Sequence, residues 1–400
     1  MLILIGTIYF FYIVMELCIS VLEIGFVSRA KNLPAVILSD ENYKKAAEYA
    51  IVREKFDIAG NLYGYAIFLI WILFGLNALE ALCIKEGGVI ESVIFVIAFA
   101  AINGILTLPF DIYSTFVIDK KFGFSTIDVK TYLLDNAKSI ALSLVLGSLI
   151  AALVSWIILS FPLWWLWSFI AVFVVILFIN MFYPTLIAPL FNKFTPLEDN
   201  ALKSSIEALM QKAGLKSSGI FTMDASKRDN RLNAYFGGLG KSKRVVLFDT
   251  LIKKLNKNEL LAVLGHELGH FKHKDILKNI ALVAAEMFIL FALFGNLPQS
   301  VYEAFGLNNG AYSAIVIFLI LSSAISFFLM PIFGYLSRRN EYKADEYGSE
   351  CESKEALASA LVKLADENKS FPRSHFLYIF FYHTHPPLIE RLKALGMDIK

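Results

Sequence analysis

Long apolar stretches alternate with polar segments along this chain, and seven of the stretches are predicted to cross a bilayer as helices. They are Met1–Val27, Asn61–Cys83, Val89–Pro109, Ser139–Leu159, Leu163–Met181, Ala281–Phe294 and Ala311–Phe333. The sixth is the shortest, and we predict that its helix extends into flanking residues and starts near Ile276. The first has no basic residue ahead of its apolar run, which favours a spanning helix over a cleaved signal peptide.

Two longer polar segments carry elements of their own. The segment 183–278 is predicted to contain a helix over Asn200–Ala213, a strand over Lys243–Phe248 and a helix over Asn258–Lys278. The segment 336–400 is predicted to be mostly helical, with an amphipathic helix over Ser353–Asn368. The predicted divisions are therefore 1–182 for spans one to five, 183–278 for the first part of a cytosolic domain, 279–335 for spans six and seven, and 336–400 for the second part. The predicted fold is a mostly α, polytopic membrane protein whose cytosolic domain has a short β element.

Composition and charge agree with this picture. Hydrophobic residues make up 57% of the 400 residues, more than the half or so that is usual in soluble proteins. The net charge of +2 and the absence of a basic tail argue against nucleic acid, so the predicted partners are the bilayer and a substrate. Cys18, Cys83 and Cys351 are scattered and form neither a disulfide framework nor a second metal motif.

The distribution of basic residues predicts the orientation. Six Lys/Arg lie in the first basic loop (Arg29–Lys55) and four in the second basic loop (Lys120–Lys138), whereas the alternate loops are almost free of them. Basic loops remain in the cytoplasm. We therefore predict an external N-terminus, and a cytoplasmic location for the polar segments and the C-terminus.

The sequence His266-Glu267-Leu268-Gly269-His270 is an H-E-x-x-H motif within the predicted helix over Asn258–Lys278. Residues four apart on an α-helix project from one face, so the two imidazoles can bind one tetrahedral Zn²⁺. Glu267 is then placed to take a proton from the zinc-bound water, as in zinc proteases. We predict that His266 and His270 are zinc ligands and that Glu267 is the catalytic base.

A stable catalytic zinc needs a further protein ligand, and Glu341 is the candidate. It follows the seventh apolar stretch, on the same predicted side of the membrane as His266, which would give the His₂Glu site of thermolysin-like enzymes. Glu346 and Glu350 are rival ligands. Asp345, one turn beyond Glu341, could accept a hydrogen bond from a ligand imidazole.

Two further side chains have chemistry that suits peptide hydrolysis. His385 precedes two prolines that fix a turn into a helix, and its imidazole could donate to the oxyanion that forms as water attacks a carbonyl. Arg391 has a planar fork that could bind a carboxylate. From the residues alone, a capping histidine and a surface arginine are the favoured alternatives. His273 is predicted to lie at the surface or behind a ligand, because its place on the helix points away from His270.

Several blocks of sequence together resemble a known family. The main blocks are His266–His270, Glu341–Asp345 and His385–Leu392, and further ones are Leu108–Phe110, Tyr183–Phe194, Asp224–Arg228 and Asn233–Phe236. Over nearly the whole chain the sequence is similar to the integral-membrane zinc CAAX prenyl proteases, the type I CAAX endopeptidases. The compact length and an ending without a dilysine retrieval signal predict a prokaryotic or stripped-down member, and a prokaryotic member would lie in the plasma (inner) membrane.

The resemblance implies a barrel of seven tilted helices around a water-filled chamber, with one zinc ion per chain at its cytosolic end. It implies that zinc is bound by His266, His270 and Glu341 and that Glu267 is the base. It also implies that Asp345 lies behind the metal ligands and supports one of them by a hydrogen bond. It also implies that a peptide lies as an added strand along the neighbouring strand and contacts Asn233, Ala234, Tyr235, His385 and Arg391.

The leading functional hypothesis is a zinc metalloendopeptidase that cuts near the C-terminus of peptides, including prenylated ones, and acts as a monomer. One alternative is a quality-control zinc protease that degrades damaged membrane proteins. Another is a transport or translocation-clearing protein with a structural zinc. A structural zinc has four protein ligands, whereas the motifs supply three, and this favours catalysis.

Overall fold

The computed structural model describes residues 1–215, 218–237 and 244–399, and it is built of helices with one small sheet. Within these residues, seven helical segments are long and apolar enough to cross a bilayer, and they cover all seven predicted spans. These apolar stretches form helices because lipid offers no hydrogen-bond partners, and a helix pairs every backbone N–H and C=O group within its own segment. The predicted fold class is confirmed.

The first five spans occupy the N-terminal part of the chain. They are α1 (Leu2–Ala30), α2 (Asp40–Ile70) with α3 (Leu76–Cys83), α4 (Val89–Tyr113), α5 (Val129–Ser160), and α6 (Trp164–Phe182) with α7 (Ala188–Phe191). Three of these helices continue through π-helical turns, at Trp71–Gly75, Ser114–Asp119 and Tyr183–Ile187. Pro184 lies in the last of these turns, where its missing N–H favours irregular helical geometry.

A four-stranded sheet and three helices follow. The strands are β1 (Phe194–Pro196), β2 (Ile220–Met223), β3 (Ala234–Gly237) and β4 (Arg244–Phe248), and the helices are α8 (Asn200–Lys212), α9 (Asp249–Lys254) and α10 (Lys257–Lys272). The strand order is β1-β2-β4-β3, with β2 and β4 parallel and the other pairs antiparallel. The predicted strand over Lys243–Phe248 corresponds to β4, and Lys243 lies outside the described residues. Among the described strands, β3 forms one edge of the sheet.

The single helix predicted over Asn258–Lys278 is wrong. α10 ends at Lys272, and α11 (Asp275–Gly295), the sixth span, begins after a tight turn. Lys274 has a φ of 58°, in the left-handed region that a right-handed helix cannot contain. The break places the start of the sixth span beside Ile276, as predicted, and brings Asp275 to the first turn of α11.

The seventh span extends far beyond the membrane. After the short helix α12 (Gln299–Ala304), α13 (Ala311–Cys351) runs for 41 residues. At 1.5 Å per residue such a helix is roughly 60 Å long, about twice the hydrocarbon thickness of a bilayer. The C-terminal half of α13 therefore projects from the membrane and carries Glu341 and Asp345 on the same rigid rod as the span.

Three helices complete the polar domain: α14 (Lys354–Glu367), α15 (Phe376–Tyr382) and α16 (Leu388–Ala394). The predicted amphipathic helix over Ser353–Asn368 is α14, and the Ser353 hydroxyl accepts a hydrogen bond from the Ala356 N–H at its start. Ala360 of α14 packs in the same apolar core as Ile206 of α8 and Leu264 of α10. The two separated polar segments therefore share one hydrophobic core.

A cavity lined by both apolar and acidic side chains opens inside the molecule. It has two adjoining parts, of about 550 Å³ and about 720 Å³. Both parts are lined by Glu54, Asp57, Tyr378 and Tyr382. The inner part reaches Phe110 of α4, and the outer part reaches His385 and Arg391. The cavity therefore joins the helical bundle to the segment that carries the predicted site residues.

Candidate metal centre and active site

The helix α10 begins at a strong N-terminal cap. The Asn256 side chain accepts a hydrogen bond from the Glu259 N–H (3.0 Å), and the Glu259 carboxylate accepts one from the Asn256 N–H (2.8 Å). This reciprocal pair satisfies two backbone donors that a helix start leaves open. One face of the helix then buries Leu260, Leu264 and Leu268 in the core below the sheet. The opposite face, which carries His266 and His270, is left to pack against α13.

The crossing of α10 and α13 brings the third ligand candidate to the two histidines. The helices approach closely because glycines lie at the contact, with Gly265 of α10 against Gly348 of α13. The Nε2 atoms of His266 and His270 are 3.3 Å apart, and they lie 3.5 Å and 3.2 Å from the two Glu341 carboxylate oxygens. Residues 75 positions apart in the chain are thus combined in one cluster of ligand atoms.

The geometry of this cluster fits a zinc ion. A tetrahedral Zn²⁺ with ligands at about 2.0–2.1 Å holds neighbouring ligand atoms roughly 3.3 Å apart, close to the spacings observed here. Glu341 is 3% exposed, and its Oε2 atom is buried with no hydrogen-bond partner among the described residues. A buried carboxylate oxygen without a partner is costly, and a bound cation would remove that cost. Two imidazoles and one carboxylate are the donor set of His₂Glu zinc enzymes.

Each ligand imidazole is oriented by a buried carboxylate. The Nδ1 of His266 lies 2.8 Å from Asp345 Oδ1, and the Nδ1 of His270 lies 3.0 Å from Asp275 Oδ2. A carboxylate that accepts from Nδ1–H leaves the lone pair on Nε2, where a metal would bind. Burial opposes a positive charge on His270, but hydrogen bonds to Glu341 and Asp275 outweigh it and raise the pKa of that imidazole to about 9. The negative charge of Glu341 and Asp275 would likewise stabilise a divalent cation bound at the Nε2 atoms.

Asp275 is a site residue that the sequence analysis missed. It is 3% exposed, and its second oxygen accepts a hydrogen bond from Lys278 at 2.8 Å. The sequence analysis missed Asp275 because it did not predict that α10 ends at Lys272. A continuous helix would have carried Asp275 away from His270. Only the left-handed Lys274 turns the chain back so that the two side chains meet.

We expect the Asp275→Asn variant to bind zinc about 10- to 100-fold more weakly, because an amide oxygen accepts the Nδ1–H hydrogen bond of His270 less strongly than a carboxylate and adds no negative charge. The dissociation constant for zinc would be measured by competition with a chelator of known affinity. Asp40→Asn, at an exposed position on α2, is the matched control. Equal zinc affinity in the two variants would contradict a supporting role for Asp275.

Glu267 lies between the two histidines on the same helix and is partly buried. Burial raises the pKa of its carboxyl above the ordinary value, although His266 and His270 act in the opposite direction. A raised pKa makes the ionised carboxylate a stronger base for a proton from water. The position of Glu267 beside the ligand cluster therefore suits a general base.

His385 lies across the cluster from α10. Its Nε2 is 3.4 Å from Glu341 Oε1, and its side chain is 62% exposed where it lines the outer part of the cavity. The Thr384 hydroxyl lies 3.0 Å from its Nδ1 and helps to set the ring orientation. An imidazole beside the ligand cluster and open to the cavity can reach a bound substrate.

Arg391 makes contacts other than the predicted ones. Its Nε and Nη2 donate to the two oxygens of Asp345 at 2.8 Å and 2.6 Å, and the side chain is only 12% exposed. This bidentate pair fixes the carboxylate that orients His266. Its Nη2 also lies 3.5 Å from Glu341 Oε2, so Arg391 contacts the metal site both through Asp345 and at Glu341, and its contact with a substrate stays a prediction.

The predicted peptide-contact residues lie at the start of β3. Asn233 is exposed, Ala234 is buried and Tyr235 is half-buried against Met223 and Val246. Ala234 also packs in the same core as Leu264 and Leu268 of α10. The edge strand is therefore tied directly to the metal helix.

The rival residues lie away from the cluster. Glu346 and Glu350 are exposed, and neither belongs to the group of converging ligand atoms, which all lie within 4.8 Å of one another. His273 forms the end of α10, where its N–H bonds the Gly269 carbonyl. Within the described residues, only His266, His270 and Glu341 form a group that could hold a metal ion.

Comparison with protein families gives two matches that together span most of the chain. Residues 23–193 match the CAAX prenyl protease N-terminal family, described by five membrane helices. Residues 196–397 match peptidase family M48. The boundary between the two matches falls within β1, the first strand of the sheet.

Individual relatives and one solved structure match over similar lengths. CAAX prenyl protease 1 of Saccharomyces cerevisiae is 34% identical, over 91% of this chain and 88% of the relative. The human CAAX prenyl protease 1 homolog is 30% identical, over 90% of this chain and 87% of the relative. The crystal structure of S. mikatae Ste24p superposes with a TM-score of 0.92 and 30% identity, covering 99% of both chains.

Proposed function

Because this chain belongs to the CAAX prenyl proteases of peptidase family M48, we propose that His266, His270 and Glu341 bind one catalytic zinc ion. The protein is a multi-pass membrane zinc metalloprotease, and the proposal assigns that activity to particular side chains. The observation that carries it is the convergence of the three ligand atoms around a buried Glu341 oxygen that has no hydrogen-bond partner in the described structure.

In this proposal, Glu267 accepts a proton from the attacking water and later delivers it to the leaving amine. When bound, zinc supplies a Lewis acid that polarises the scissile carbonyl and lowers the pKa of the water. His385 donates a hydrogen bond to the oxygen that becomes negative as the carbonyl is attacked. Asp345 and Asp275 hold the imidazoles of His266 and His270 in the tautomer that binds metal.

We further propose that the substrate peptide pairs with β3 as an added strand. β3 is an edge strand, so its outer backbone groups are available for pairing with an extended peptide. Its first residue, Ala234, shares a core with α10, which places the strand next to the metal helix. A peptide on this edge would present its scissile bond to Glu267 and His385. In this proposal, Asn233 and Tyr235 contact the side chains of the peptide and select among them.

The proposed bond lies near the C-terminus of the substrate, as the names of the relatives suggest for those proteins. The cavity extends from His385 past Tyr378 into the helical bundle, where Phe56 and Phe110 supply apolar surface. Such a lining could receive a lipid attached to the peptide. We therefore propose a prenylated peptide as the preferred substrate.

We also propose that the site faces the cytoplasm and that one chain suffices for activity. The polar domain contacts both basic loops, since Arg231 donates to the Tyr49 hydroxyl at 2.9 Å and Arg228 to Asp135 at 2.7 Å. The basic loops and the metal site thus lie on one side of the membrane, which the positive-inside rule assigns to the cytoplasm. All proposed ligands come from one chain, which supports a monomer. The predicted domain boundaries and the prokaryotic source stay predictions, and the relatives do not favour the quality-control or transport alternatives.

The test is cleavage by the purified protein in detergent. We expect about one zinc per chain, loss of cleavage with a chelator, and recovery when zinc is restored. A farnesylated peptide and the same peptide without the lipid would be compared by kcat/KM, with products identified by mass spectrometry. We expect a single cut near the C-terminus and a higher kcat/KM for the farnesylated peptide.

Different outcomes separate the parts of the proposal. Equal rates for the two peptides would contradict the lipid preference but retain the protease assignment. Many cuts along longer chains would favour degradation of damaged proteins. Zinc at full occupancy without cleavage of either peptide would contradict the catalytic role of the site.

A further inference from the structure

Two carboxylates lie buried in α1 and α2, the helices of the first two segments that are long and apolar enough to cross a bilayer, and Glu54 precedes the apolar stretch predicted over Asn61–Cys83. Glu23 is 4% exposed and Glu54 is 6% exposed. A carboxylate in a membrane-spanning helix is costly to bury, so its partners indicate what it does. Both carboxylates accept hydrogen bonds from the segment 374–378, more than 300 residues away in the chain.

These contacts hold the first half of α15. Glu23 accepts from the Ser374 hydroxyl at 2.6 Å and from the His375 N–H at 2.7 Å, at the start of the helix. Glu54 accepts from the Tyr378 hydroxyl at 2.6 Å, one turn further on. The membrane helices α1 and α2 therefore fix the beginning of α15.

The end of α15 is held by an arginine from a third membrane helix. One Nη of Arg338 on α13 donates to the Ile379 carbonyl at 2.9 Å and to the His383 carbonyl at 2.6 Å. The Ile379 carbonyl also accepts a hydrogen bond from the His383 N–H at 3.3 Å, and both carbonyls lie at the C-terminal end of α15, where a cation is favourable. Arg338 thus binds the terminus of α15 by charge-assisted hydrogen bonds.

The contact leaves little freedom between α13 and the chain that follows α15. A Cβ placed on Gly334 of α13 would lie 2.8 Å from the Arg338 guanidinium and 3.1 Å from the His383 carbonyl oxygen. His385 follows two residues after that carbonyl, and Glu341 follows Arg338 by three residues on the same helix. Arg338 therefore links the chain just before His385 to the helix that carries Glu341, and the two side chains lie 3.4 Å apart between Nε2 and Oε1.

We propose that Arg338 is a positioning residue that holds His385 in register with the metal ligands. It touches neither the ligand cluster nor the cavity position that a peptide would occupy, and it acts only through the backbone at 379–383. This inference rests on the proposed function, because it assumes that His385 contacts the reacting carbonyl. Glu23 and Glu54 hold the other end of the same helix. Of these three side chains, Arg338 makes the contact that is nearest in the chain to His385.

A double-mutant cycle tests the inference, with Arg338→Met, His385→Ala and the combined variant compared in the peptide cleavage assay. We expect His385→Ala to lower kcat about 100-fold, as for the loss of one oxyanion donor. Arg338→Met should lower kcat about 10-fold or more with KM and zinc content unchanged, because a displaced catalytic group loses rate steeply. The combined variant should be no slower than His385→Ala alone, since Arg338 then has nothing left to position.

Conservative and control variants sharpen the test. Arg338→Lys keeps a charged donor near both carbonyls and should recover part of the kcat. If Arg338→Met does not fold, Arg338→Lys takes its place in the same cycle, with a smaller expected loss. Arg339→Met is the matched control, because Arg339 is exposed and its guanidinium lies over Tyr335, 6.0 Å from the ring centre.

Three results would overturn the inference while leaving the proposed role of His385 in place. The first is a combined variant in which the two losses multiply, which would mean that Arg338 acts independently of His385. The second is loss of zinc from Arg338→Lys, which would mean a structural role at Glu341. The third is full activity of the Arg338→Met variant when the separate His385→Ala variant is impaired. That result would leave the proposed function intact. Full activity of His385→Ala would instead remove the proposed role of His385, and the inference with it.

Discussion

Replacing Glu267 by glutamine is expected to lower kcat/KM for peptide cleavage by roughly 10³-fold or more while zinc stays bound. The amide has nearly the same shape as the carboxylate, but it cannot accept a proton from water at neutral pH. The ligand atoms belong to His266, His270 and Glu341, so the metal loses none of its protein ligands. Activity would be measured as kcat/KM with a farnesylated peptide, and zinc per chain by elemental analysis of the purified variant.

Glu346→Gln is the matched control for this experiment. It makes the same chemical change on α13 at an exposed position outside the ligand group. We expect it to retain both zinc and activity. If Glu267→Gln cleaves peptide as fast as the unmodified chain, Glu267 is not the base. If Glu267→Gln loses its zinc, the loss of rate says nothing about proton transfer, and the role of the carboxylate would be structural.

The second large effect is expected from Gly348→Ala, which should lose most of its zinc and its activity. A Cβ at this position would lie 2.8 Å from the backbone nitrogen of His266 and 3.0 Å from the carbonyl oxygen of Ala262. Backbone atoms within a helix cannot turn aside, so α10 and α13 must separate. Separation moves His266 Nε2 away from Glu341 Oε2, which lie 3.5 Å apart, and so takes the two ligand atoms beyond the spacing that one zinc ion can bridge. Overpacking of this kind also costs about 1–3 kcal/mol of stability.

Zinc content and the thermal unfolding midpoint in detergent would measure these two effects. Gly104→Ala, in α4, is the matched control, because a Cβ there meets nothing within 4 Å. We expect the control to retain full zinc content and an unfolding midpoint close to that of the unmodified chain. Normal zinc and activity in Gly348→Ala would contradict the close crossing of α10 and α13 as the basis of the site.

Much of the architecture could be predicted because it depends on local pattern. Apolar stretches of sufficient length gave all seven spans, since lipid forces such segments into helices. The spacing of His266 and His270 predicted a shared face because a helix repeats every 3.6 residues. Glu341 could be proposed as their partner because it lies beyond the seventh span on the predicted side of the membrane.

Other features depend on one or two backbone angles or on helices that cross, and pattern does not encode them. The left-handed Lys274 ended α10 early and brought Asp275 to His270, where a continuous helix had been predicted. Arg391 appeared from its chemistry to suit a substrate carboxylate, yet its fork is bound to Asp345. That pairing depends on how α16 packs against α13, which no local rule specifies.

For this protein, the sequence by itself determined the membrane class, the helical spans and the chemistry of the metal motif, because each depends on residues close together in the chain. The tertiary structure alone decided which carboxylates support each imidazole, which strand forms the edge of the sheet and how α15 is held by Glu23, Glu54 and Arg338. Those contacts join residues tens to hundreds of positions apart. They exist only because the long helix α13 and the membrane spans fix distant segments within hydrogen-bonding distance.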